Sequence, residues 1–128
     1  MIVHSTQLTS WIRSVGRIRH WSQGSIIFRE GEPASSVLLI ESGQAKAVLS
    51  APSGKQVVLA VRGPGDLLGE FAALDGQARS ASIHAITDLR GRVVTAEALI
   101  GRLATHPDAA LELLRVVSGR LRESDLRR

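Results

Sequence analysis

At 128 residues, with a formal charge of +4, 44% hydrophobic residues and no cysteine, the chain reads as one domain that can bury roughly two thirds of its unfolded surface without a disulfide or a metal. The lack of cysteine excludes iron–sulfur clusters, thiolate zinc sites and cysteine nucleophiles. The charge is uneven, since residues 1–20 carry +3, residues 115–128 carry +3 and the middle is −2. Solvated helix faces explain these basic ends better than direct contact with nucleic acid. There is no tyrosine, and Trp11, Trp21, Phe28 and Phe71 are scattered rather than arrayed as a stacking platform. The N-terminal stretch has no apolar run of signal-peptide length, and the run Val57–Val61 is far too short to cross a bilayer. A soluble, cytoplasmic protein without a membrane partner is expected.

Residues 5–15 predict a helix. Leu8, Trp11, Ile12 and Val15 share one face, Ser5 or Thr6 can cap it, and Gly16 can stop it. From residue 17 to about residue 94 the rhythm becomes that of an all-β sandwich or barrel, with glycines separating short runs rich in Val, Ile and Leu. Strands are expected at Ser25–Phe28, Val37–Ile40, Ala45–Leu49, Val57–Val61, Ala81–Ile86 and Gly91–Val94. Ser42-Gly43 and Ser53-Gly54-Lys55 read as hairpin turns, and antiparallel pairing of consecutive strands is the economical topology.

Within this region Gly69–Ser82 stands apart because it sets a carboxylate and a guanidinium around one short helix start. Gly69 allows close backbone approach, the amides of Glu70, Phe71 and Ala72 are first-turn donors for an anion, and Arg79 can close on that anion from the next strand. A carboxylate suits sugar hydroxyls and an arginine suits phosphate.

Helical periodicity returns after the strands. Thr95 caps a short segment through Leu103, and Pro107 opens a longer helix with Asp108 in its first turn. In that helix Ala110, Leu114, Val117, Leu121 and Ser124 follow the 4, 3, 4, 3 spacing of a coiled-coil seam. The seam predicts a two-fold helix pair or, alternatively, the face that packs on the sandwich. Residues 120–128 contain no stop signal, so the chain is expected to be a piece cut within a longer helix.

These residues together resemble the cyclic nucleotide-binding domain of the cAMP receptor protein (Crp/Fnr) family of bacterial transcription regulators. The resemblance covers nearly the whole chain. It rests on Gly24 opening a strand, Glu30-Gly31-Glu32, Ser42-Gly43, Gly63-Pro64-Gly65-Asp66 leading into Leu68-Gly69-Glu70, and Arg79-Ser80-Ala81. It implies a mainly β fold, an eight-stranded antiparallel jelly roll (17–94) between an N-terminal helix (1–16) and C-terminal helices (95–128). A phosphate-binding cassette would lie at 70–74, and the helix from Pro107 to Arg128 would form a homodimer.

By position, Glu70 would accept the ribose 2′-hydroxyl and Arg79 would pair with the cyclic phosphate. Ser80 and the backbone of Phe71 and Ala72, beside Gly69, would donate to phosphate oxygens, and Ser124 and Asp125 lie near where the family senses the base. The ligand implied is cAMP or another cyclic nucleotide, with no metal. Its binding would shift helix 107–128, and DNA would be reached only through a domain absent from this chain. Two departures bear on cassette shape: Phe71 replaces an aliphatic residue, and Ala78 stands where many members have proline.

Three other readings compete. A metal-dependent cupin needs clustered ligands, whereas His4, His20, His84 and His106 are dispersed; a haem sensor needs an axial ligand, for which His84 is a candidate, but a strand histidine facing solvent is the expected reading. No nucleophile–base pair or carboxylate dyad is evident, so a sensor is expected rather than an enzyme. The third reading, and the alternative function, is a degenerate roll that binds no nucleotide and serves dimerisation or protein interaction.

Overall fold

The computed structural model describes residues 7–126, with side chains to residue 123. Helix α1 (Gln7–Val15) leads into β1 (Arg17–Trp21), β2 (Ile26–Phe28), β3 (Ser36–Ser42), β4 (Ala45–Ser50), β5 (Gln56–Arg62) and β6 (Leu67–Leu68). Helix α2 (Glu70–Asp75) interrupts the strands before β7 (Ser82–Ala85) and β8 (Leu89–Thr95), and α3 (Ala96–Thr105) and α4 (Pro107–Leu126) follow. The strands form two four-stranded antiparallel sheets, ordered β1-β8-β3-β6 and β2-β7-β4-β5. This is the mainly β roll with flanking helices that the resemblance implies.

Consecutive pairing does not hold. Only β4 and β5 are neighbours both in sequence and in a sheet, joined through the turn at Gly54. Ser42-Gly43 is a corner that carries the chain from one sheet to the other, because β3 pairs with β6 and β8 while β4 pairs with β5 and β7. Gly43 sits at φ +91°, and a Cβ there would lie 2.9 Å from Leu89 Cα, so backbone conformation and space both demand glycine. Strands β1 and β6 escape the hydrophobic pattern. β1 (RIRHW) is a basic edge strand exposed along most of its length, and β6 is only two residues long.

Strand β3 divides the interior. Val37 and Leu39 point to a core shared with Leu8 and Ile12 of α1, Leu99 of α3 and Leu113 of α4. Leu38 and Ile40 point to a second core, between the sheets, with Ile83, Ala85 and Leu89. Period-two alternation with apolar residues on both faces produces this double burial. Helix α1 buries Leu8, Thr9 and Ile12 and packs Trp11 at the margin, but Val15 is 56% exposed. The predicted face is therefore displaced at its last residue, where the chain leaves for β1 and the Gly16 amide donates to Ile12 O. The proposed caps Ser5 and Thr6 lie outside the described residues. Thr95 caps α3 as expected, its Oγ1 accepting from the Ala98 amide at 3.0 Å.

Candidate functional site

The site is assembled where β6 ends. Leu67 enters the helix-side core, Leu68 enters the inter-sheet core, and the chain then turns at Gly69 with φ +85°. The next residue begins α2, so its first amides have no acceptor inside the helix. A Cβ on Gly69 would fall on Arg79 Nη1 and lie 3.1 Å from Phe28 Cε2. Glycine is needed here for its backbone and for the arginine that lies against it.

Arg79 is held on every side. Its amide donates to Glu32 O at 2.8 Å and its carbonyl accepts from the Gly31 amide at 2.9 Å, which gives the Glu30-Gly31-Glu32 turn a structural task. Its Nη1 donates to Gly69 O at 2.9 Å, its Nη2 donates to Ser36 O at 2.7 Å, and its guanidinium lies 3.8 Å from the Phe28 ring centroid. Burial pulls its pKa below the ordinary arginine value, while the carboxylates of Glu32 and then Glu70 push it back up. An arginine so placed remains a cation. Those two bonds use only part of a guanidinium's five N–H groups, and the residue is 6% exposed.

Glu70 is the other buried charge, at 2% exposure. It does not share an ion pair with Arg79. Its Oε2 accepts from Arg120 Nη1 of α4, and Arg120 Nη2 donates to Leu67 O at 2.6 Å. Both charges open onto a cavity of about 530 Å³, within the range of small-molecule sites. Gly69, Phe71, Ala72 and Ser80 share its wall, so six of the eight predicted residues come together. The side chains of Ser124 and Asp125 lie outside the described residues. Phe71 is 40% exposed, and Ala78, at the position noted for proline, forms an isolated antiparallel bridge with Pro33.

Sequence reasoning missed Arg62, Arg120 and Glu123, which also line the cavity, and the Phe28 and Ser36 supports of Arg79. Of the apolar wall, Ala47, Ala60 and Ile83 come from three strands of one sheet. His84 lies on β7 opposite Ile26 and Lys46, and among the described residues no group of three or more His, Asp or Glu comes together.

An antiparallel β-roll that sets a buried carboxylate and a buried guanidinium around a glycine-led helix start, both on one cavity, has the build of a ligand-binding regulatory domain. The chain belongs to the cyclic nucleotide-binding domain family, whose model matches residues 18–106. It is 35% identical over 103 residues to the CRP-like cAMP-activated global transcriptional regulator of Mycobacterium tuberculosis, covering 80% of this chain and 46% of that protein. It is 33% identical over 108 residues to the cyclic AMP receptor protein of Thermus thermophilus, covering 84% of this chain and 50% of that protein. The crystal structure of the Thermus thermophilus catabolite activator protein matches with a TM-score of 0.84 at 30% identity, over 96% of this chain and 58% of that one. The chain thus spans about half the length of these two relatives.

Proposed function

We propose that this chain binds a 3′,5′-cyclic nucleotide, cAMP foremost, and passes the binding event to α4 as the sensing and dimerising part of a Crp/Fnr-type transcription regulator. The observation that carries the reading is the pair of buried opposite charges, Arg79 and Glu70, on one wall of a cavity of about 530 Å³. Arg79 supplies a planar donor fork to the cyclic phosphate, with Ser80 and the Phe71 and Ala72 amides on neighbouring oxygens, and Glu70 accepts from the ribose 2′-hydroxyl. Ser124 and Asp125 follow Glu123 in sequence, where the resemblance puts base sensing. DNA would be met through a further domain, in the cytoplasm. No helix among the described residues is long and apolar enough to cross a membrane. A sensor rather than an enzyme fits a wall built of binding groups and the names of the two regulators above.

The dimer reading is supported by which face of α4 is covered. Ala109, Leu113 and Val116 pack on the helix-side core and Val117 of the seam packs there with them, whereas Leu114 and Leu121 of the seam are 59% and 57% exposed. The alternative, a roll that binds no nucleotide, is favoured by one observation: Arg120 already satisfies Glu70. Titration calorimetry with cAMP and cGMP decides between them. The nucleotide reading expects binding by the wild type and a loss of ~2–4 kcal/mol in Arg79→Ala, from charge-assisted hydrogen bonds. An unchanged dissociation constant in that variant removes Arg79 from the phosphate site, and heat from neither nucleotide favours the interaction module.

A further inference from the structure

The cavity holds a second charged pair that the sugar and phosphate do not need. Arg62, the last residue of β5, reaches across to Glu123 of α4, with Nη2 to Oε1 at 3.0 Å and Nη1 to Oε2 at 3.5 Å. The side chains are 18% and 46% exposed, and both residues line the same cavity as Glu70 and Arg79. An ion pair this open to solvent contributes little to stability, about 0–1 kcal/mol.

Its placement follows from helix geometry. Residues three apart on a helix are neighbours, with Cβ atoms about 5–6 Å apart, so the turn of α4 that lays Arg120 on Glu70 lays Glu123 on Arg62 one step further along. A ligand with its sugar hydroxyl at Glu70 and its phosphate at Arg79 has one remaining part, the base. Ala47, Ala60 and Ile83 give the cavity apolar surface suited to a flat ring, but none of them can read a hydrogen-bonding edge.

We propose that Arg62 and Glu123 act together as the specificity determinant that reads the Watson–Crick edge of the bound base. This inference rests on the cyclic-nucleotide reading. A carboxylate beside a guanidinium offers an acceptor next to donors. Adenine presents a donor (N6) beside an acceptor (N1), and guanine presents an acceptor (O6) beside a donor (N1–H). The order of charges in the pair therefore sets which base is accepted, and a mismatched base leaves polar groups unpaired, which is how hydrogen-bonding sites reject analogues. Because one partner is on the roll and the other on α4, the base edge bridges the two.

The test is calorimetric titration with cAMP, cGMP and the cyclic monophosphate of unsubstituted purine riboside. Wild type, Arg62→Ala, Glu123→Gln and the exchanged double variant Arg62→Glu/Glu123→Arg are compared, each checked for folding by circular dichroism. The wild type is expected to separate cAMP from cGMP by about tenfold or more. Each single variant should bring that ratio within about threefold, and the exchanged pair should invert the preference; affinity for the unsubstituted purine, which keeps N1 but has no N6 donor, should stay within about threefold in Glu123→Gln. A wild type that binds these nucleotides without separating cAMP from cGMP, or single variants that keep the wild-type ratio, overturns the inference while leaving the cyclic-nucleotide reading standing. A wild type that binds none of the three overturns both.

Discussion

Two positions concentrate the physics of this molecule. Gly69 has a left-handed backbone and no room for a Cβ, because Arg79 Nη1 occupies that space. Gly69→Ala should cost ~1–2 kcal/mol from the backbone alone and should push the guanidinium off Phe28 and the Gly69 carbonyl. The expected outcome is a lower urea midpoint at unchanged m-value, with nucleotide affinity falling further than stability. Arg120 is the second position. It is the partner of a carboxylate whose side chain is 3% exposed, so Arg120→Met leaves a buried, unpaired charge and should lower stability by about 3–5 kcal/mol. Adding Glu70→Gln to that variant should return at least ~1 kcal/mol, since the charge that needed a partner is gone. Chemical denaturation of the single and double variants measures both. A double variant no more stable than Arg120→Met would assign Arg120's effect to packing instead.

Among the elements, α4 has two tasks on adjacent faces. One face seats Ala109, Leu113 and Val116 in the core, and its far end reaches Glu70 and Arg62 through Arg120 and Glu123. The neighbouring face leaves Leu114 and Leu121 to solvent. Replacing both with serine should shift the protein from dimer to monomer in sedimentation equilibrium, with little change in the far-ultraviolet circular dichroism. A wild type that sediments as a monomer at every concentration would remove the helix pair. Helix α4 was readable because its apolar spacing is a local pattern, as were β3, β4, β5, β7 and the Thr95 cap of α3. The topology was not. Ser42-Gly43 has the residues of a hairpin turn, and only the non-local pairing of β3 with β8 makes it a corner. The candidate site divides in the same way. Gly69 through Ser80 is contiguous and carries its own turn and helix-start chemistry, so it could be read directly. Arg120 and Arg62 meet their partners across 50 and 61 residues, and a charged residue on a helix looks the same in sequence whether it faces water or a buried carboxylate.

For the whole molecule, a ligand that binds only the folded state stabilises it by mass action. A cyclic nucleotide at a hundredfold its dissociation constant should add about 2.7 kcal/mol, read as a concentration-dependent rise in melting temperature; no rise with cAMP or cGMP would count against the proposed ligand. The sheets also dictate an order of events during synthesis. The edge strand β1 pairs with β8 alone, Trp21 meeting Leu89 and Arg17 meeting Val93, and β3 likewise needs β8 to complete its sheet. With about 70 residues between β1 and β8 and a ribosome adding about 5–20 residues each second, the first strand waits on the order of 3–14 s for its partner. During that interval β6 has no closed sheet behind it, and the turn at Gly69 has no Arg79 to rest on until β7 approaches. A nascent chain therefore acquires ligand competence late, after β8 has left the exit tunnel, and its β1 edge is open to chaperones or to other chains until then.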